Sequence, residues 1–137
     1  MILIKILLAG GVLVLTGCTS LGHDTRSTPQ ISKAIEPVKE FGFDSDNHEL
    51  SIGIKDLLTS RGYKVEALHS GVQTRYVLRV RSTDLDTCIP EGSRQMHFNV
   101  SVADSVTGER VLLIANQYGC KDTIINRFDQ WLAKMNP

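Results

Sequence analysis

The sequence has no excess of either charge. Lys+Arg and Asp+Glu both total 15, so the formal net charge is zero. A dedicated nucleic-acid-binding domain usually shows a clear basic excess, and this composition argues against that class. Long apolar runs are also missing. The longest, Ile6 to Leu15, falls well short of the roughly 20 residues that a membrane-spanning helix needs. No Cys-x-x-Cys pair is present, so thiol–disulfide exchange has no obvious site. The histidines His23, His48, His69 and His97 form neither His-x-x-x-His nor His-Glu-x-x-His, and each reads as solvated or locally hydrogen-bonded. A Gly-x-Ser-x-Gly elbow, a phosphate-cradling glycine loop, a dinucleotide fingerprint and an internal repeat are all absent. These gaps leave no catalytic residue, no metal-ligand set and no cofactor to nominate, and the expectation is a protein that is not an enzyme.

What is present fits one globular unit. The chain has 137 residues, 42% hydrophobic and 22% charged, ordinary values for a single domain. Its amino end carries Lys5 and then the apolar run, which fits the core of a secretory signal. An uncleaved anchor is the competing reading. The run ends in Leu15-Thr16-Gly17-Cys18, which resembles the lipobox of bacterial lipoproteins. That resemblance implies removal of residues 1–17 and lipidation of Cys18 on its thiol and its new amino group. Thr19 stands where an Asp would imply inner-membrane retention. The resemblance therefore implies an outer-membrane lipoprotein facing the periplasm. Residues 18–35 read as the lipidated cysteine and a polar tether containing Gly22 and Pro29, with a typical span of roughly 20–25 Å. Residues 36–137 form the periplasmic domain.

Within that domain the hydrophobic spacing predicts β–α–β–β–β–β–α. A weak strand covers Val38–Phe43. Leu50, Ile54, Leu57 and Leu58 then recur at helical spacing over 47–61, with Asp46 and Glu49 placed as a capping box and Gly62 as the stop. Ser51 and Gly53 weaken this helix. Strands follow at 63–68, 75–81, 95–103 and 111–118, with a hairpin loop at 104–109. Asp122 or Thr123 caps a closing helix whose stripe is Ile124, Ile125, Phe128, Trp131, Leu132 and Met135. The expected fold is α+β: a mainly antiparallel sheet of four to five strands with two helices on one face. Trp131 falls on the apolar stripe and reads as core.

With Cys18 taken by lipid, Cys88 and Cys120 remain in an oxidising compartment, where a disulfide is the default. Free thiols, or a metal site drawing on His97, are the alternative. On the surface, Arg75, Arg79 and Arg81 alternate along one side of a strand. His97, Asn99 and Ser101 should share that side if the strands are neighbours. Two readings stay open: a face that binds a partner or an anion, and the solvated side of a sheet covered on one face. Asp44/Asp46 and Asp84/Asp86 read as loop solvation or weak cation contacts.

The order of elements resembles small accessory lipoproteins of the periplasm, the penicillin-binding-protein activator and curli-export lipoproteins among them. The resemblance rests on Leu57-Leu58-Thr59-Ser60-Arg61-Gly62-Tyr63, Tyr76-Val77-Leu78-Arg79-Val80, and Val102-Ala103-Asp104 with Thr107-Gly108-Glu109. It implies the fold above and a non-enzymatic accessory role on an envelope protein complex, and it carries over no functional residue. The alternative is a lipoprotein that holds peptidoglycan or an anionic glycan on the arginine face. The expected partners are the membrane, through the lipid, and an envelope protein.

Overall fold

The computed structural model describes residues 28–69, 71 and 73–136. The signal-like segment and Cys18 lie outside the described residues. The elements are β1 (Gln30–Ile31), β2 (Glu40–Ser45), α1 (Glu49–Ser60), β3 (Lys64–Ala67), β4 (Tyr76–Thr87), β5 (Arg94–Asp104), β6 (Arg110–Cys120) and α2 (Lys121–Met135). The strands form one sheet in the order β1-β6-β5-β4-β2-β3.

The fold is α+β as expected, but the sheet has six strands and is mixed. β2 runs parallel to both of its neighbours, β3 and β4, while β4, β5, β6 and β1 pair antiparallel. Adjacent parallel strands need a crossover connection, and α1 supplies it between β2 and β3. The sixth strand is β1. It lies inside the stretch read as tether, where Gln30 and Ile31 pair with Leu113 and Leu112. Ala34 is buried beyond it, and its N–H donates to the Met135 carbonyl at 2.8 Å.

The alternation in β5 builds the sheet's inner face. Met96, Phe98, Val100 and Val102 are buried, and the residues between them are half-exposed. Leu78 and Val80 of β4, Leu112 and Ile114 of β6, and Phe41 and Phe43 of β2 join them in one core. Leu50, Ile54 and Leu58 of α1 and Ile124, Phe128 and Leu132 of α2 close it from the same side. The β5–β6 turn places Gly108 at φ 75°, a conformation that glycine adopts without steric penalty.

Two helix starts differ from expectation. His48, not Asp46, is the residue before α1. Asp46 instead accepts hydrogen bonds from the His48 N–H at 3.1 Å, the Ser51 hydroxyl at 2.7 Å and the Ser82 N–H at 2.6 Å. It thereby ties the β2–α1 loop to β4. At α2, Cys120 occupies the cap and the helix follows β6 without a linker, so neither Asp122 nor Thr123 caps it. The α1 exit follows the sequence reading. Gly62 has φ 84°, its N–H donates to Thr59 at 3.0 Å, and the Tyr63 N–H donates to Leu58 at 3.0 Å, a Schellman closure. Gly53 also has a structural use. A Cβ there would lie 2.4 Å from Ile125 Cδ1, so this glycine lets α2 approach α1.

β4 is much longer than the alternation to Arg81 indicated. Its last partner on β2 is Val80, opposite Ser45, and it continues to Thr87. At about 3.3 Å per residue, the 81–87 segment carries β4 roughly 23 Å past β2. There it stays paired with β5, and β5 with the end of β6, in one three-stranded end of the sheet. Cys88 and Cys120 join across that end in a disulfide, with Cα atoms 5.9 Å apart.

Candidate functional site

Both helices pack on one face of the sheet, so the interest lies on the other. There β4 presents Arg79 and Arg81, and β5 presents Asn99 opposite Arg81 and Ser101 opposite Arg79. His97 follows, paired with Thr83 on one side and Tyr118 on the other. The strands place Arg79, Arg81, His97 and Asn99 on one surface, the arrangement that neighbouring strands require.

Asp44 on β2 organises the arginines. Arg79 Nε donates to Asp44 Oδ2 at 2.7 Å, and Arg81 Nη2 donates to Oδ1 at 2.6 Å. Arg81 Nη1 also donates to the Asp44 backbone carbonyl at 3.0 Å. Partial burial pushes the Asp44 carboxyl upward, but hydrogen bonds from Arg79 and Arg81, followed by their charges, outweigh it and hold the pKa below the usual carboxylate range. Two cations share one anion, so the cluster keeps a surplus positive charge. Arg79 and Arg81 remain 57% and 44% exposed, within reach of a partner.

A polar platform adjoins this cluster. The His97 and Tyr118 rings lie 4.9 Å apart, tilted by 48°. Between Phe98 and Val100 the β5–β6 register shifts, and Asn116 takes φ 52° in a bulge. The Asn116 N–H donates to Asn99 Oδ1 at 2.9 Å, which fixes the Asn99 side chain. Bulges recur beside functional sites because they re-aim side chains.

Arg75 is separated from its sequence companions. It ends beside Asp104 and Glu36, with Nε 3.1 Å from Asp104 Oδ2 and Nη1 2.6 Å from Glu36 Oε1. Asp104 is only 1% exposed. Burial raises its pKa, but the Val106 N–H, Arg75 and the Thr107 N–H lower it further, for a net downward shift. Arg75 thus serves a closed ion pair at the β5–β6 turn end of the sheet.

The structure groups Cys88 and Cys120 with Glu91, their donor atoms within 4.8 Å of one another. The two sulfurs are bonded to each other, and His97 lies against the Tyr118 ring instead of joining them. Asp44 and Asp46, two apart in sequence, diverge: one takes the arginines, the other the loop. Sequence reasoning missed a cleft of about 450 Å³ beside β2, lined by Phe43, Asp44, Ser51, Ile52, Lys55 and Leu68. Its lining comes from separate elements, and no local pattern in the chain announces it.

No protein family and no curated protein matches the sequence. Solved structures do match. The chain is similar to a PelC dodecamer from Paraburkholderia phytofirmans, at 13% identity and TM-score 0.50, over 78% of this chain and 93% of that one. A second crystal form of that dodecamer gives 12% identity and TM-score 0.50, over 80% and 98%. A minor lipoprotein from Acinetobacter baumannii overlaps more loosely, at 17% identity and TM-score 0.31, over 72% and 81%. At these identities, what this chain shares with PelC is its fold.

Proposed function

We propose that this chain is a lipid-anchored accessory module of the bacterial envelope, without catalysis of its own. On this reading it sits on the periplasmic side of the outer membrane and docks on a protein partner through the open face of its sheet. The observation that carries the reading is the Arg79–Asp44–Arg81 cluster. It is held by hydrogen bonds between adjacent strands, exposed and positively charged in surplus. The chain's net charge is zero, so this local charge is a matter of placement. Complementary charge of that kind favours association and register with an acidic patch. The lipobox-like Leu15–Cys18 segment supports the anchor, and the fold shared with a protein solved as a dodecamer supports a place within an assembly.

The test is co-isolation from native membranes with the Arg79→Glu/Arg81→Glu protein against the unsubstituted one. A partner recovered with the second and lost with the first supports the docking face. Equal recovery with both removes it. A second reading, a site for an anionic glycan, draws on the His97–Tyr118 ring pair beside the arginines, since sugars lie on aromatic faces and guanidinium groups bind carboxylates. It predicts sedimentation with purified cell wall that weakens as salt rises.

A further inference from the structure

The end of the sheet formed by β4, β5 and β6 carries an exposed apolar loop. Ile89 is 93% exposed, and Leu85 nearby is 52% exposed. Ile89 precedes Pro90 in a loop clamped at its base by the Cys88–Cys120 disulfide and by the Cys88 N–H donating to the Ser93 carbonyl at 2.8 Å. An isoleucine held out in water by a closed loop has no role in the core. Its position along the sheet indicates what it meets. β1 runs antiparallel to β6, with Gln30 opposite Leu113 and Ile31 opposite Leu112. Going backward from Gln30, the chain therefore heads toward the end of β6 that carries Cys120, the end that bears the Ile89 loop.

We infer that the Ile89 loop rests on the lipid surface to which the chain is anchored, and so fixes the orientation of the domain on the membrane. The inference depends on the anchor at Cys18 proposed above. Cys18 lies ten residues before Thr28, a contour of at most about 35 Å. A tether that short, joining an edge strand whose upstream direction points to the Cys88–Cys120 end of the sheet, holds that end near the bilayer. One isoleucine and one leucine bury too little to hold a free domain on a membrane. On a domain already held by lipid they have only to choose its tilt, because tethering makes the contact effectively intramolecular. The charges nearest in sequence to the loop and its disulfide are mainly acidic: Asp84, Asp86, Glu91 and Asp122 against Arg94 and Lys121. The contact is therefore with the apolar and zwitterionic parts of the surface, and anionic lipid weakens it. The arginine face, on the side of the sheet, stays free for a partner.

The test uses the full-length lipidated protein in phosphatidylcholine/phosphatidylethanolamine vesicles, with some acyl chains brominated as contact quenchers. Ile89→Trp is compared with Val106→Trp, in the β5–β6 turn at the opposite end of the sheet, where Val106 is 74% exposed. The native Trp131 is buried, and the unsubstituted protein gives its background. The expected result is flotation of all proteins, with a blue shift and at least twofold quenching for Ile89→Trp alone. Flotation with no quenching at position 89, or equal quenching at 89 and 106, overturns the inference and leaves the anchor intact. A blue shift at 89 without quenching means that protein covers the loop, and also overturns it. Failure to float removes the anchor, and this inference with it.

Discussion

Arg81 holds Asp44 twice, through Nη2 to the carboxylate at 2.6 Å and through Nη1 to the backbone carbonyl at 3.0 Å. The backbone bond does not depend on the side chain at 44, so it is the carboxylate, bound by Arg81 and Arg79 together, that sets the spacing of the two cations as well as partly neutralising them. Removing Asp44 should therefore have opposite consequences for charge and for order.

Asp44→Ala removes the carboxylate contacts of both arginines and leaves Arg81 its bond to the backbone carbonyl at position 44. The ion pairs are partly exposed, so their loss should cost no more than about 1 kcal/mol of stability. The face gains a full charge but loses its geometry. If docking needs the geometry, partner recovery falls despite the added positive charge, and Asp44→Asn, which keeps an acceptor oxygen, recovers part of it. Urea unfolding and co-isolation, run side by side, separate the two effects.

The disulfide closes a separation of 32 residues. In the chain-entropy account a loop of that size is worth roughly 3–4 kcal/mol. Cys88→Ala/Cys120→Ala should lower the urea midpoint by a corresponding amount. The unsubstituted domain should show the same shift when reductant is added, and reductant should have no effect on the variant.

Gly42 faces Thr74 closely: a Cβ at Gly42 would lie 2.3 Å from Thr74 Oγ1. Gly42→Ala should destabilise by about 1–3 kcal/mol through overpacking. That hydroxyl has no hydrogen-bond partner among the described residues, so Thr74→Ala alone should cost little. The double variant Gly42→Ala/Thr74→Ala should recover most of the loss, and a double-mutant cycle by thermal unfolding measures the coupling.

Acid should weaken the domain. Asp44 and Asp46 both have folded pKa values below the usual 3.8; at Asp46, burial raises the value, but Ser51, the Ser82 N–H and the His48 N–H lower it further. A depressed carboxyl pKa adds stability above the unfolded value, and that stability is lost as pH falls through the folded value. Unfolding free energy should hold steady from pH 7 to about 5 and decline below about 4. Asp46→Asn should start less stable at pH 7 and decline less on acidification.

Much of this architecture is written in local pattern. The stripe Ile124–Phe128–Trp131–Leu132 marks α2, the strict alternation from Met96 to Val102 marks β5, and Gly62 and Gly108 mark the helix exit and the turn where left-handed backbone occurs. β1 is too short, at two residues, to carry a period. The parallel pairing of β2 depends on the whole sheet, and Val38–Phe43 contains nothing that sets direction. β4 beyond Arg81 is exposed on nearly every residue, so it lacks the alternation that would have extended the strand. The arginines show the same limit. Alternation grouped Arg75 with Arg79 and Arg81, yet a side chain at the strand's start can turn aside, and Asp104 and Glu36 draw Arg75 away. Asp44 was visible as an acid two residues from another. Its pairing with the arginines follows only from the β2–β4 register.

Site-specific photocrosslinking in living cells tests the docking face most directly, with the reactive group at position 79 on the open face and, as a control, at position 134 on the exposed side of α2. The account predicts a discrete protein adduct from position 79, absent from position 134 and lost when Arg81→Glu is added. Adducts from neither position, or from 134 alone, would contradict it.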